Sequence, residues 1–233
     1  MIRPKNMNLI AFKVALVGYV ALDLALSGMY RFLTTTPAVE MAGHNNLKEQ
    51  TAMLLDTPIC DFGWKAPDFA LKDPDGTSFT MSGQLGDNGL LIAFICNHCP
   101  YVQAIADRFA EDAQELIDNG VNVLAVMSND YQNVQADSPA NMKQFAERHG
   151  FPFPYLIDED QAVGKAYGAV CTPDFFGFNK DGELQYRGRL DDAKAGDPAG
   201  RTRELVNAMR QIAETGAGPL QQTPSIGCSI KWR

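Results

Sequence analysis

The stretch GLLIAFICNHCPYV, residues 89–102, decides the fold of this chain. Its first eight residues are a continuous apolar run, typical of a central strand that is covered on both faces of a sheet. Cys96 and Cys99 follow, and Pro100 stands where the first turn of a helix tolerates proline. The stretch therefore predicts a buried strand that leads through two cysteines directly into a helix.

The residues that follow extend this pattern to a strand, a helix and a second strand. Apolar residues recur at helical spacing from Val102 to Ile117, Gly120 ends the helix, and residues 121–128 form another apolar run. This order favours two parallel strands joined by a right-handed crossover.

The rest of the chain reads as further elements of one domain, residues 54–217. A hairpin is predicted at 68–72 and 78–81, a helix from Ser138 to about Arg148, and a strand at 153–158. A short helix, a hairpin around NKDG and a last helix at 199–214 follow. We expect residues 218–233 to be a C-terminal tail that packs on this domain. The fold class predicted is α/β, with a central mixed sheet flanked by helices and an N-terminal β-hairpin extension.

Composition and charge exclude several classes of function. The chain has 233 residues, 45% of them hydrophobic, and a net charge of −8, an ordinary balance for a globular protein. It has no basic cluster with which to bind nucleic acid. Five cysteines are an odd number and too few for a secreted disulfide framework, so we expect a cytoplasmic protein.

Residues 1–53 form an N-terminal extension with three open interpretations. An apolar segment follows a basic start, but Lys13 and Asp23 interrupt it, which disfavours a membrane-spanning helix. The segment is a signal peptide, a membrane anchor or an extension outside the working protein. The protein would be exported or membrane-anchored if residues 1–30 are a genuine signal; a membrane partner is otherwise not expected.

The cysteine pair has the features of a redox centre that needs no cofactor. A helix N-terminus favours negative charge and raises the thiolate fraction of a nearby cysteine. Two intervening residues let the sulfurs approach disulfide distance, and a protonated His98 would favour a thiolate further. We predict that Cys96 attacks a substrate disulfide and that Cys99 resolves the mixed disulfide.

A binding module for a soft metal ion is the alternative from another class. Cys96, His98 and Cys99 could ligate such an ion with Cys171 as a fourth ligand. No second C-x-x-C or H-x-x-x-H motif supports this, so no metal is predicted. Haem attachment would need histidine where Pro100 stands.

Three segments resemble a known family. GWKAPDFALKDPDGTSFTM (63–81) is similar to the opening of the AhpC/TSA, or peroxiredoxin-like, branch of the thioredoxin superfamily. FICNHCPYV together with CTPDFF (171–176) and PSIGCSIKW (224–232) resembles its subgroup that carries a C-x-x-C motif. The resemblance implies a thioredoxin-like fold and a substrate that is a disulfide-containing protein or a small thiol compound. It also implies a dithiol reductant, such as a thioredoxin or glutathione system.

The resemblance also implies roles for residues around the pair. Pro173 would be a cis-proline that faces the dithiol, Thr172 would offer its backbone to a bound substrate strand, and Asn97 would tune the pair. Peroxiredoxins carry P-x-x-x-T-x-x-C, but Ile92 and Cys96 stand where that motif needs Pro and Thr. Thiol–disulfide exchange is therefore favoured over a thiol-dependent peroxidase with Cys99 as the peroxidatic cysteine.

The sequence leaves two alternative roles open for each of Cys171 and Cys228. Cys171 is either a third redox thiol near the pair or a buried small residue. Cys228 is either a resolving cysteine or a structural residue of the tail.

Overall fold

A computed structural model describes residues 53–233 of the chain. All of the predicted N-terminal extension except Met53 lies outside the described residues. The strands are β1 Leu54–Asp56, β2 Ala70–Lys72, β3 Ser78–Thr80, β4 Leu90–Phe94, β5 Asn122–Met127, β6 Tyr155–Ile157, β7 Cys171–Thr172, β8 Asp174–Phe178, β9 Leu184–Gly188 and β10 Ile226–Ser229. The helices are α1 Met81–Gln84, α2 Pro100–Gln103, α3 Ala106–Asp118, α4 Pro139–Arg148, α5 Ala162–Ala166 and α6 Glu204–Thr215, and Gln135–Asp137 forms a 3-10 helix.

Seven strands form a mixed sheet in the order β3-β2-β6-β5-β4-β8-β9. The three central strands β4, β5 and β6 are parallel, and the pairs β2–β3 and β8–β9 are antiparallel hairpins. The predicted parallel pair and both predicted hairpins are confirmed. The α/β, thioredoxin-like fold class predicted from the sequence is confirmed as well.

Strand β4 is buried on both faces, as its continuous apolar run predicts. Leu91 and Ala93 belong to one core with Phe109 of α3, whereas Ile92 and Phe94 belong to a second core on the other face. Full burial of a large apolar side chain contributes about 1.5–3 kcal/mol. The strand that leads to the cysteines is thus among the most firmly held parts of the fold.

The predicted helix after the cysteines is two helices in the structure, α2 and α3. The backbone N–H of Ile105 bonds to the oxygen of Val102, a three-residue step that tightens the turn. The guanidinium of Arg108 donates to the oxygen of Ala104 and so satisfies the carbonyl that the break exposes. The last helix also begins later than predicted, at Glu204 rather than residue 199.

A second, three-stranded sheet has the order β1-β10-β7. Its middle strand, β10, comes from the C-terminal tail and pairs antiparallel with both neighbours. The tail therefore returns to the residues that precede Pro173. Within residues 53–233, no helix combines the length and the apolar character needed to cross a membrane.

Candidate active site

Both cysteines of the C-x-x-C motif contact Thr172. Cys96 follows the end of β4, and Cys99 is the N-cap residue of α2, with Pro100 in its first turn. Cys96 Sγ lies 3.2 Å from Thr172 Oγ1, and Cys99 Sγ lies 3.1 Å from the carbonyl oxygen of Thr172. Both cysteines are buried, with exposed fractions of 1% and 0%. The fold thus brings the pair to one residue some 75 positions away in the chain.

The peptide bond between Thr172 and Pro173 is cis, as the resemblance implies. The role expected for the Thr172 backbone, pairing with a bound substrate strand, stays a prediction. Thr172 is paired with Cys228 of β10, so the chain's own tail lies where a substrate strand was expected.

Asp137 organises the loop that carries the cysteines. Its Oδ1 accepts the backbone N–H groups of Asn97 at 2.8 Å and His98 at 3.2 Å. Its Oδ2 lies 2.7 Å from His98 Nδ1 and accepts from Asn129 Nδ2 at 2.8 Å. Asp137 is fully buried, and no local motif in the sequence marks it as part of the site.

Asn97 is held on three sides. Its Nδ2 donates to the oxygen of Ala136 at 2.9 Å, and its Oδ1 accepts from the hydroxyl of Tyr155 at 3.2 Å. Gln103 Nε2 donates to its backbone oxygen at 2.8 Å. These bonds fix the middle of the motif, so the supporting role predicted for Asn97 has a physical basis in the positioning of the loop.

The two thiols differ in acidity. A hydrogen bond from Cys96 lowers the pKa of Cys99 to about 5, with further help from the backbone N–H groups of Cys228 and Val102, against the opposing effect of burial. Burial raises the pKa of Cys96 well above its usual value, and Cys99 and the carboxylate of Asp137 add to this. These opposite shifts of the pKa favour the thiolate on Cys99 and the proton on Cys96, whereas the sequence predicts a first attack by Cys96.

The remaining thiols are not thiolates at neutral pH. Burial raises the pKa of Cys171 to about 12, that of Cys228 to about 11 and that of half-buried Cys60 to about 11. Cys171 is fully buried, beside Thr172 in β7. Cys228 shares one buried core with Cys96 and Cys99.

A cavity of about 280 Å³ opens beside Pro173. Tyr101, Ile105 and Phe175 provide apolar walls, and residues 223–226 of the tail close one side. Such a largely apolar pocket next to a reactive group is a usual place for substrate side chains.

One group of side chains among residues 53–233 has the spacing of metal ligands. Cys96, His98 and Asp137 each bring a ligand atom within 4.8 Å of the others. Both carboxylate oxygens of Asp137 already have hydrogen-bonding partners. Cys171, the fourth ligand of the metal alternative, is not part of this group.

Comparison with known proteins decides the family. The model of the AhpC/TSA family matches residues 62–187, which include the hairpin β2–β3, the cysteine motif and the cis-proline. The chain belongs to the AhpC/TSA family. Within this AhpC/TSA chain, both cysteines of the C-x-x-C motif lie in the matched segment.

Similar curated proteins include a thiol-disulfide oxidoreductase and a peroxiredoxin. Thiol-disulfide oxidoreductase ResA of Geobacillus thermodenitrificans is 31% identical over 130 residues, which are 53% of this chain and 66% of ResA. The chain thus spans just under two thirds of that relative's length. Peroxiredoxin Bcp of Escherichia coli is 28% identical over 117 residues, 50% of this chain and 70% of Bcp.

A solved structure matches the AhpC/TSA chain over more of its length. It is that of an uncharacterized conserved protein from Geobacillus kaustophilus, 41% identical, with a TM-score of 0.73. The match covers 78% of this chain and 97% of the other. It therefore reaches well beyond the segment that the family model matches.

Proposed function

We propose that this protein is a thiol–disulfide oxidoreductase whose Cys96–Cys99 pair cycles between dithiol and disulfide. The observation that supports it most is that the two sulfurs approach the oxygens of one residue, Thr172, directly before a cis-proline. A relative named for this activity, ResA, is 31% identical to this chain over 130 residues. Ile92 and Cys96 replace the Pro and Thr of the peroxidase motif.

The protonation states favour Cys99 as the attacking group. Its thiolate attacks one sulfur of a substrate disulfide, and the other substrate sulfur leaves with the proton that Cys96 gives up. The Cys96 thiolate then attacks Cys99 Sγ and releases the second substrate sulfur as a thiolate. The substrate gains two electrons, and the pair becomes a disulfide.

The substrate is a disulfide-containing protein or a small disulfide, and an external dithiol, such as a thioredoxin or glutathione system, returns the pair to the reduced form. Run in reverse, the same steps oxidise a dithiol client. Five cysteines in an odd, sparse arrangement support a reducing compartment, the cytoplasm, as the place of the reaction.

The experiment is trapping of the mixed disulfide with a chromogenic small-molecule disulfide. In a Cys228→Ser background, the Cys96→Ser change should leave one equivalent of the substrate half on Cys99 and abolish turnover, and the Cys99→Ser change should abolish the reaction at neutral pH. If the substrate half is instead trapped on Cys96 in the Cys99→Ser protein, Cys96 is the first nucleophile, as the sequence predicts. Full turnover in both variants would refute the proposal.

A thiol-dependent peroxidase is the second candidate, and one observation favours it. Cys99 stands at the position of the peroxidatic cysteine, and its pKa is lowered to about 5. A peroxidase would form sulfenic acid on Cys99 of the Cys96→Ser protein at equimolar peroxide. Unmodified Cys99 under these conditions would remove this candidate.

A further inference from the structure

Strand β10 places a third thiol next to the pair. Cys228 lies directly opposite Thr172 in the antiparallel pair β7–β10. The side chains of such opposite residues point to the same face, with Cβ atoms about 4.5–5.5 Å apart. The hydroxyl of Thr172 contacts Cys96 Sγ, so the face shared by Thr172 and Cys228 is the face towards the dithiol. Cys228 also belongs to the same buried core as Cys96 and Cys99.

The tail fits this position closely. A Cβ atom added to Gly227 would lie 1.9 Å from the oxygen of Thr172, so only glycine allows this approach. Ser225 Oγ donates to the oxygen of Pro173 at 2.8 Å. The tail is thus built to lie against the cis-proline segment.

The same tail is tied to the loop of the cysteine motif through Asn129. Its Oδ1 accepts the backbone N–H of Lys231 at 2.8 Å, and its Nδ2 donates to Asp137. Because Asp137 binds the backbone of Asn97 and His98, one chain of hydrogen bonds connects the tail with the motif. Cys228 therefore has a fixed position relative to Cys99.

We propose that Cys228 is a third redox-active thiol, which exchanges with the Cys96–Cys99 disulfide to form a Cys99–Cys228 disulfide. Strand β10 then acts as a tethered substrate strand. This proposal rests on the thiol–disulfide exchange proposed above and deepens it by naming an intramolecular partner.

The step is an exchange with no net oxidation. The Cys228 thiolate attacks Cys99 Sγ, a new bond forms between these sulfurs, and the bond between Cys96 and Cys99 breaks. Cys96 leaves as a thiolate and takes up the proton that Cys228 lost. The external dithiol later reduces the Cys99–Cys228 bond.

The attack by Cys228 depends on the oxidation state of Cys99, because the charge on Cys99 affects the pKa of Cys228. Burial raises the pKa of Cys228, and its contact with Cys99 raises it further. When Cys99 enters a disulfide it loses its negative charge, so this second contribution disappears. Cys228 thus becomes a better nucleophile at the moment when Cys99 Sγ becomes an electrophile.

The test is peptide mapping of the full chain, oxidised with a small disulfide, quenched in acid, alkylated and digested with trypsin. Cys96 and Cys99 share the tryptic peptide 73–108, whereas Cys228 lies in 211–231, Cys171 in 166–180 and Cys60 in 49–65. A linked pair of peptides 73–108 and 211–231 is expected in the native chain. It should dominate in the Cys96→Ser protein, where Cys228 attacks Cys99 Sγ of the mixed disulfide and the substrate half leaves as a thiolate.

Two variants and one control sharpen the result. Cys228→Ser should lose the linked pair, and Gly227→Ala should lose it with all five cysteines retained, because the tail can no longer approach Thr172. Cys60→Ser should leave it unchanged. Absence of the link in the Cys96→Ser protein would overturn the proposal.

The two proposals can fail separately. An internal disulfide within peptide 73–108 and normal turnover, without any link to 211–231, would overturn the role of Cys228 and leave the exchange activity standing. If no disulfide forms within 73–108 and no turnover occurs, the proposed activity fails, and the role of Cys228 fails with it.

Discussion

His98 Nδ1 lies 2.7 Å from Oδ2 of Asp137, a fully buried carboxylate that also binds the backbone N–H groups of Asn97 and His98. The middle of the C-x-x-C motif is thus held by a residue 38 positions beyond Cys99. Buried carboxylates are stable only where hydrogen bonds replace water. Here those bonds are made with the loop that carries the reactive sulfurs.

Asp137→Asn should loosen this loop and change the acidity of the pair. An asparagine amide would face the Nδ2 of Asn129, whose orientation is fixed because its Oδ1 accepts the backbone N–H of Lys231. One buried donor then lacks an acceptor, which costs about 1–3 kcal/mol. Loss of the negative charge should also lower the pKa of Cys96, which Asp137 helps to raise.

Urea unfolding measures the stability change, and the pH dependence of Cys96 alkylation in the Cys99→Ser background measures the pKa. The matched control is Asp75→Asn, which removes an exposed carboxylate paired with Lys143. A normal alkylation profile in the Asp137→Asn protein would show that Asp137 is only structural.

The acidity of Cys99 predicts how the reduced protein responds to pH. Its pKa falls from 9.0 to about 5 on folding, so the contribution of this thiolate to stability is fully present above pH 9 and is lost as the pH falls through 5. The raised pKa of Cys96 has the opposite effect on stability at high pH. Thiolate absorbance should therefore titrate with a midpoint near pH 5. Exchange should slow as the pH is lowered through the same range.

Cys96→Ser separates the causes of this shift. The hydrogen bond from Cys96 is the largest of them, and a serine hydroxyl donates in another geometry, so the midpoint should move. Cys228→Ser leaves the hydrogen bond from Cys96 in place and should change the midpoint less. Cys99→Ser should abolish the low-pH transition, and its persistence there would assign it to another thiol.

Much of the fold follows from local patterns in the sequence. The apolar run 89–96 predicts a strand buried on both faces, because each face of β4 packs on its own core. The break between α2 and α3 was not predictable from periodicity, since it depends on Arg108, whose guanidinium binds Ala104 and also Asp191. Helix spacing carries no sign of a contact that spans 83 positions.

The site was predictable only where its residues form motifs. Cys96, Cys99 and the Thr172–Pro173 bond are found from short patterns and a resemblance. Asp137 and the pairing of β10 with β7 are consequences of the tertiary fold. The relative acidity of the two thiols depends on the hydrogen bond between them and on their burial, so it could not be read from the motif.

Cys171 should be inert in the native protein. It is fully buried, and burial raises its pKa to about 12, so almost no thiolate exists at neutral pH. Iodoacetamide should leave peptide 166–180 unmodified in the native chain and alkylate it in urea. Cys171→Ala should keep full exchange activity, whereas rapid native alkylation would favour the third redox thiol predicted from its position.

The ion pair between Arg187 and Asp174 should contribute strongly to the position of the cis-proline segment. Arg187 Nη2 donates to Asp174 Oδ2 at 2.8 Å and to the oxygen of Gly168 at 2.8 Å, and Asp174 directly follows Pro173. Even with this partner, burial raises the pKa of Asp174 to about 6. Arg187→Leu should therefore destabilise the protein by about 3–5 kcal/mol, because it leaves a buried carboxylate unpaired.

The double variant Arg187→Leu with Asp174→Leu tests the reason for this loss. It removes both charges, so it should recover much of the stability that the single variant loses, since a buried pair can be replaced by apolar groups at little cost. Lys65→Ala, which breaks an exposed pair with Glu183, should cost at most about 1 kcal/mol. The urea unfolding midpoints of the three variants measure these changes in stability. Equal losses of stability in the single and double variants would show that the shape of the two side chains, rather than their charge, governs stability at this position.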